Sequence, residues 1–293
     1  MPAPRDRAPV LLLHGFWHGS WCWTEVLAGL TGAGVRALAV DMAGHGLRAR
    51  RPAALTRRPF DAGALAAEVS PVAGVDLDQA GDLLVAQVKQ LGAGAPVTVV
   101  AHSMGGAVLT RAGQLAPELI AHAVYLAAFM PASGVPSAAY PRMPENEGSR
   151  VGALRVGDAR ATGALRLDVA SPDPAYREAV RETFYGDVDP VTADAAIALL
   201  TPDAPVGISA GVTALTADGW GSIPRTYVVC TEDATIPRRC SASSSPTRTP
   251  RSPAIERPCA NSRRPTPPSC RCPIRSPASC LMSFPDIRSD ACW

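Results

Sequence analysis

The chain has 293 residues, of which 47% are hydrophobic, and a formal net charge of +2. That hydrophobic content excludes a wholly disordered chain, and no apolar run reaches the ~20 residues that a membrane-spanning helix needs. The net charge is a sum over two unlike parts. Residues 1–237 carry 18 basic and 23 acidic side chains, whereas residues 238–293 carry 10 arginines and 3 acidic side chains. The acidic first part argues against nucleic-acid binding there.

The cysteines divide at the same point in the chain. Only Cys22 and Cys230 lie in the first part, and six more lie in the last 56 residues. Two cysteines give no disulfide framework, which favours a reducing compartment. Residues 1–9 also lack the apolar segment of a signal peptide. We therefore expect a cytoplasmic protein.

Strand-like and helix-like segments alternate along the first part of the chain. Residues 10–13 form a short apolar run typical of a strand buried on both faces, residues 23–30 have helical spacing, and residues 35–40 predict a second strand. Further strands are predicted at 97–101, 122–128 and 226–230, with helices at 77–91 and 104–115. This alternation predicts an α/β fold with a mostly parallel sheet flanked by helices.

Residues 131–222 interrupt the alternation. They are rich in proline and alanine, with helical patches at 176–184 and 191–200, and we interpret them as an inserted cap. The predicted organisation is therefore a core over residues 1–130, a cap over 131–222, a return to the core over 223–237, and a tail over 238–293.

The tail holds 10 prolines, 11 serines and 6 cysteines without helical or strand periodicity. This composition predicts disorder. Its cysteines follow no paired CxxC spacing and no histidine accompanies them, which argues against zinc. No aromatic residues are interleaved with its arginines, which argues against nucleic acid. We expect no metal, no cofactor, no nucleic acid and no membrane as partners.

One short motif carries the chemistry. Residues 101–105 read Ala-His-Ser-Met-Gly and lie between a predicted strand and a predicted helix, which is the nucleophile-elbow pattern. The turn is so tight that Ala101 and Gly105 must both be small, and it exposes the hydroxyl of Ser103. The helix that follows favours developing negative charge. A chance match in a chain rich in alanine and glycine is the alternative, and the flanking strand and helix disfavour it.

The loop after the first strand, which begins His14-Gly15, predicts the second half of such a site. In this architecture that loop donates a backbone N–H to an oxyanion, and the expected donors are the amides of Phe16 and Met104. Histidines near the motif are more often structural than catalytic. This interpretation applies to His14, His18 and His102, and also to His45 and His122.

Asp233 follows the fifth predicted strand, where the acid belongs in the chain order serine, acid, histidine. A turn-capping role is the alternative for Asp233, and its neighbour Glu232 is the less favoured acid. The third member is missing, because no histidine follows His122. Without that base Ser103 keeps its proton and is a weak nucleophile.

Several segments together resemble a known family. Residues 11–23, 101–106, 125–131 and 229–233 are similar to the α/β-hydrolase superfamily, and most similar to its methylesterase and hydroxynitrile-lyase branch. The resemblance runs from about residue 9 to 237 and includes a cap motif at 184–187. It implies Ser103 as the nucleophile, Asp233 as the acid, and the Phe16 and Met104 amides as oxyanion donors. The lyases have a threonine where this chain has Gly15, which favours ester hydrolysis over cyanohydrin cleavage.

The final strand, helix and histidine of that family have no counterpart after residue 237. Our hypothesis is a shift of the reading frame at this point. Codons for hydrophobic residues have T as their middle base. When the gene is read one register off, that T becomes a first base and the codons encode serine and cysteine. Alanine codons displaced in the same way encode arginine and proline. Sequencing the coding DNA tests this hypothesis, because a single-base change must then open a frame that encodes the histidine. A functional tail is the alternative.

These observations predict a serine esterase that forms an acyl-enzyme with a small, largely apolar ester, methyl or aromatic. The expected substrate pocket includes His14, Trp17, His18 and Trp220, although tryptophans more often pack in cores. The alternatives are a catalytically inactive small-molecule-binding homologue and, less favoured, a hydroxynitrile-lyase-like lyase.

Overall fold

Strands of the predicted sheet lie close to where the sequence places them. The structure, a computed structural model, describes residues 7–146, 148–230, 235 and 271–272. Its strands are Val10–Leu13 (β1), Ala37–Val40 (β2), Val97–Ser103 (β3), Ile120–Ala128 (β4), Arg155–Val156 (β5), Ala164–Leu167 (β6), Asp203–Pro205 (β7), Arg225–Cys230 (β8) and Arg271–Cys272 (β9).

The helices follow the same alternation. They are Thr24–Gly32 (α1), Ala62–Ala67 (α2), Leu77–Gly92 (α3), Gly105–Leu115 (α4), Ala159–Thr162 (α5), Pro174–Tyr185 (α6), Pro190–Ala198 (α7) and Val206–Ala210 (α8). None of the helices among the described residues is long and apolar enough to cross a membrane.

The main sheet has the order β2-β1-β3-β4-β8-β9, and every pairing in it is parallel. This confirms the predicted α/β class with a mostly parallel sheet. In the register, Leu13 at the end of β1 pairs with Ala101 in β3. The loop that follows β1 and the turn that follows β3 therefore leave the sheet side by side at its carboxyl edge, where ligands bind in open α/β sheets.

Local capping contacts set both ends of helix α3. The Asp76 carboxylate accepts from the Gln79 N–H at 2.8 Å, and the Gln79 side chain accepts from the Asp76 N–H at 3.2 Å, which closes a capping box. Ala93 ends the helix in the left-handed region with φ +49°. The apolar face of α3, with Leu84 and Val88, packs into the core between the sheet and α4.

The segment between β4 and β8 contains a second, antiparallel sheet of β5, β6 and β7, together with helices α5 to α8. Helices α6 and α7 begin slightly before the predicted patches, because Asp173 and Asp189 each cap a helix whose first residue is proline.

One fully buried ion pair ties this small sheet to α2. The Arg166 guanidinium donates to the Asp203 carboxylate at 2.6 and 2.7 Å and also to the carbonyl oxygens of Leu65 and Glu68. A buried charge is tolerated only when it is paired and hydrogen-bonded. The pair therefore fixes one orientation of β6 and β7 against α2.

The sheet also has an edge strand that the sequence did not predict. Arg271 and Cys272 pair in parallel with Val229 and Cys230 of β8. The predicted disorder of the tail stays a prediction, because apart from these two residues the whole of 238–293 lies outside the described part of the chain.

Candidate active site

Ser103 is the last residue of β3, and α4 begins two residues later at Gly105. Its backbone φ is +53°, a left-handed conformation that residues other than glycine rarely adopt. Such strain persists only where the surrounding structure imposes it, and it concentrates at functional sites. The local geometry is that of a nucleophile elbow.

Two glycines let the loop after β1 pack directly against this turn. A Cβ atom on Gly15 would lie 2.6 Å from the Ser103 Cβ, and one on Gly105 would lie 2.6 Å from the His14 carbonyl oxygen. Residue 105 must therefore be small because it contacts the β1 loop. The sequence pattern had suggested a different reason, a close approach between residues 101 and 105. The Phe129 N–H donates to the Ser103 carbonyl oxygen at 3.0 Å and holds the turn from its other side.

The two amides expected to bind an oxyanion lie in this same contact region. Phe16 follows Gly15, and Met104 is the residue before α4. Neither N–H donates a hydrogen bond to another group within the described part of the chain. Both donors are therefore free to bind a ligand oxygen, which a buried amide otherwise rarely is.

A narrow cavity of about 20 Å³ lies over Ser103, with room for about one water-sized oxygen. Aromatic side chains close it: the Phe184 ring of α6 lies 5.7 Å from the Trp17 ring and 5.9 Å from the His18 ring. The cavity is lined by Phe16, Trp17, His18, His102, Ser103, Phe184 and Thr235.

His14 is a structural residue of the β1 loop. Its Nδ1–H donates to the Gly15 carbonyl oxygen at 2.7 Å, and its Nε2 accepts from the Met42 N–H at 3.0 Å. Burial, with the nearby His45, lowers the pKa of His14 to about 3. Both ring nitrogens are used, and His14 does not line this cavity.

His18 does line the cavity, and it is also fully hydrogen-bonded. Its Nδ1–H donates to the Phe16 carbonyl oxygen at 2.9 Å, and its Nε2 accepts from the Tyr185 hydroxyl at 3.0 Å. Burial lowers the pKa of His18 to about 4. The ring stacks on Trp21 at 5.7 Å. His18 therefore fixes the loop that carries the Phe16 amide.

His102 differs from both. It is 5% exposed and lines the cavity, yet neither of its ring nitrogens has a hydrogen-bond partner within the part of the chain that the structure describes. Burial, with His18 and His14 nearby, lowers the pKa of His102 to about 3. A general base works best with a pKa near the operating pH. The low pKa values of His14, His18 and His102 make all three poor bases for Ser103 at neutral pH.

Of the two tryptophans expected in the pocket, one lines the cavity and the other does not. Trp17 lines the cavity with φ +63°, and its indole N–H donates to the Leu165 carbonyl oxygen at 2.9 Å. Trp220 does not line it: its indole N–H donates to the Tyr125 hydroxyl at 2.8 Å, and the Arg225 guanidinium stacks 3.8 Å over its ring. The Trp220 indole therefore packs against Tyr125 and Arg225, outside this cavity.

The predicted acid Asp233 and its neighbour Glu232 lie outside the described residues. Thr235 is described, and it lines the cavity beside Ser103. Its hydroxyl donates to the Thr183 carbonyl oxygen at 3.3 Å, and its own carbonyl oxygen accepts from the Ser149 hydroxyl at 2.9 Å. Thr235 therefore lies beside the serine.

Sequence reasoning missed Phe184 and Thr235 as lining residues, although the 184–187 motif singled out the right part of the insertion. Over the residues that the structure describes, no cluster of three or more histidine, cysteine, aspartate or glutamate side chains is placed to hold a metal ion.

Comparison with known proteins identifies the family. The family model described as "Alpha/beta hydrolase family" matches residues 10–261. The chain belongs to this family. The match continues past Pro237 into the segment that the sequence analysis set apart from the resemblance.

Individual relatives confirm the methylesterase-like branch. "Methylesterase 4" of Arabidopsis thaliana is 27% identical over 236 residues, which cover 79% of this chain and 81% of that protein. "Probable esterase PIR7A" of Oryza sativa subsp. indica is 36% identical over 124 residues, 42% of this chain, and the match spans only 40% of the length of the rice protein. The crystal structure of polyneuridine aldehyde esterase has a TM-score of 0.61 at 20% identity, covering 82% of this chain and 86% of that one, and it shows the fold.

The buried histidines predict a loss of stability at mildly acidic pH. Burial lowers the pKa of His45 to about 4 in the folded chain, against about 6.5 when unfolded. The contribution of neutral, buried His45 to the free energy of unfolding is fully present above pH 6.5. It is lost as the pH falls toward 4, because in that range the unfolded state binds the proton and the folded state does not. Between pH 7.5 and 5 this group costs about 2 kcal/mol of unfolding free energy.

Urea unfolding of the wild type and of His45→Gln at the two pH values measures this cost. The variant should lose about 2 kcal/mol less between pH 7.5 and 5. His122→Gln is the matched control, because His122 is only half-buried and its Nε2 is hydrogen-bonded to the Thr226 hydroxyl. Equal losses in the wild type and in His45→Gln would contradict the assignment.

Proposed function

We propose that this protein is a serine hydrolase that cleaves a small, largely apolar carboxylic ester, such as a methyl or an aromatic ester. The observation that carries the proposal is the left-handed Ser103 at the β3–α4 turn, facing a cavity beside two N–H groups without partners. The esterase names of several relatives support the same chemistry.

In the proposed reaction, the Ser103 oxygen attacks the ester carbonyl carbon. The Phe16 and Met104 N–H groups stabilise the negative charge that develops on the carbonyl oxygen, a contribution that is often the largest single one in acyl transfer. The alcohol leaves with a proton, and the acyl group stays on Ser103 until water releases the acid. Because no histidine follows Asp233 for that carboxylate to orient, the proton that Ser103 gives up reaches the leaving alcohol through water.

The chain lacks a triad histidine, and this sets the proposed activity low. The nearby histidines have pKa values of about 3 to 4, so none of them takes the serine proton efficiently near pH 7. Without a triad histidine the proton of Ser103 must pass to water, which leaves Ser103 a weak nucleophile and the reaction slow. We therefore propose an impaired esterase.

The contact at Gly15 favours hydrolysis over the lyase alternative. A Cβ at position 15 would lie 2.6 Å from the Ser103 Cβ and 3.2 Å from the His102 Nδ1, so a threonine there would displace the turn or the ring. An inactive ligand-binding homologue is the second candidate, and the missing base favours it.

The insertion supports a cap role for residues 131–222. Phe184 of α6 closes the cavity together with Trp17, and a cavity with room for about one water-sized oxygen excludes an ester as it stands. In this proposal α6 moves away from Trp17 to admit the substrate, as lids do in many enzymes.

Turnover of methyl phenylacetate by the purified full chain tests the function. We expect slow acid release that Ser103→Ala lowers by at least about 100-fold, because the nucleophile is gone. Ser222→Ala is the matched control and should keep the wild-type rate, since its hydroxyl bonds only to the Asp218 and Gly219 carbonyl oxygens. No turnover by the wild type would favour the inactive homologue, and full turnover by Ser103→Ala would contradict the proposal.

A further inference from the structure

His102 is a buried side chain at the candidate site whose hydrogen-bonding capacity is unused among the described residues. Neither of its ring nitrogens has a partner there, although the residue is only 5% exposed. Leaving such a buried group unsatisfied costs free energy, so an unpaired group in a native structure calls for a specific explanation. His14 and His18 lie in the same region and have both nitrogens bonded.

The position of His102 points to a ligand. The ring lines the same cavity as Ser103. Its Nδ1 and the Ser103 hydroxyl oxygen lie 3.2 and 3.1 Å from one point, the place where a Cβ on Gly15 would sit. The His102 Nδ1 and the Ser103 hydroxyl therefore both lie next to Gly15, close enough to each other for one small ligand to contact both.

The charge state of His102 limits which kind of polar group on a ligand it can bind. With a pKa of about 3, the imidazole is neutral at physiological pH, with one N–H donor and one acceptor nitrogen. Its surroundings are mainly aromatic, with Trp17, Phe16 and Phe184 in the cavity wall. None of the described lining residues is a lysine, an arginine or a carboxylate, so they offer a charged substituent no counter-ion, whereas a hydroxyl can both donate and accept.

The volume agrees with a single oxygen. The cavity of about 20 Å³ has room for about one water-sized oxygen beside His102 and Ser103. A hydroxyl on the substrate can take that place and make the same hydrogen bonds.

We propose that His102 is a specificity residue that hydrogen-bonds a hydroxyl on the acid part of the ester, at the carbon next to the carbonyl. The substrate class is then esters of hydroxy acids, in preference to the same esters without the hydroxyl. This inference rests on the proposed function, because it assumes that the ester carbonyl sits at Ser103. A polar group built to bind a hydroxyl discriminates against analogues that lack it, since it is then left unpaired.

The test uses two esters that differ only in this hydroxyl: methyl mandelate and methyl phenylacetate. Calorimetric titration of the full chain carrying Ser103→Ala measures both dissociation constants without turnover. We expect methyl mandelate to bind at least about 10-fold more tightly. Adding His102→Phe should bring the two dissociation constants within about 2-fold, and adding His102→Gln should retain a preference, because the amide still donates and accepts.

A purely structural role for His102 would weaken both esters equally and leave their ratio unchanged. Thermal unfolding of each variant shows that it is folded. Should His102→Phe fail to fold, the imidazole ¹⁵N signals of His102 decide the matter: they should shift on addition of methyl mandelate and not of methyl phenylacetate. Equal affinities for the two esters, no binding of either, or an undiminished preference in a folded His102→Phe variant would overturn the proposal.

Failure of this inference is distinguishable from failure of the proposed function. Serine-dependent turnover without a preference for the hydroxy ester would overturn the role of His102 alone. A preference in binding without any turnover would support His102 and favour the inactive homologue.

Discussion

The close approach of the β1 loop to the serine turn is the contact on which the candidate site depends. A Cβ on Gly15 would lie 2.6 Å from the Ser103 Cβ. A Cβ on Gly105 would lie equally close to the His14 carbonyl oxygen. The parallel register that pairs Leu13 with Ala101 brings the two segments together at one edge of the sheet. Packing at this density holds Ser103 in a strained conformation and places the Phe16 and Met104 amides on either side of the contact.

The same dense packing has an electrostatic consequence. Burial keeps the histidines around Ser103 neutral, with pKa values of about 3 for His14 and His102 and about 4 for His18. A dry, preorganised pocket suits the stabilisation of an oxyanion, yet it makes its own histidines poor proton acceptors. In the proposed mechanism these histidines therefore do not substitute for the triad histidine that the sequence lacks after Asp233.

Patterns local in sequence predicted the sheet and the elbow. Apolar runs such as 10–13 and 97–101 became strands, and the short motif around Ser103 lies at a strand-to-helix turn as its pattern indicated, although the contact with Gly15 that shapes this turn is tertiary. Features that depend on tertiary contacts escaped prediction. Trp220 packs on Arg225 and Tyr125 rather than at the cavity, and Phe184 and Thr235 reach Ser103 only through the path of the insertion and of the chain after β8. The hydrophobic periodicity of a segment carries no information about contacts between residues that are far apart in the chain.

The central claim is that the glycine contact makes Ser103 the reactive serine. Labelling of the full chain with a serine-directed fluorophosphonate, followed by peptide mass spectrometry, tests it most directly, with Gly15→Ala and Gly29→Ala as matched variants. A Cβ on Gly29 meets nothing within 4 Å. We predict that the label is found on Ser103, at least about 10-fold more slowly in Gly15→Ala because the turn must shift, and at the wild-type rate in Gly29→Ala. Labelling of another serine, or an unchanged rate in a folded Gly15→Ala variant, would contradict the account.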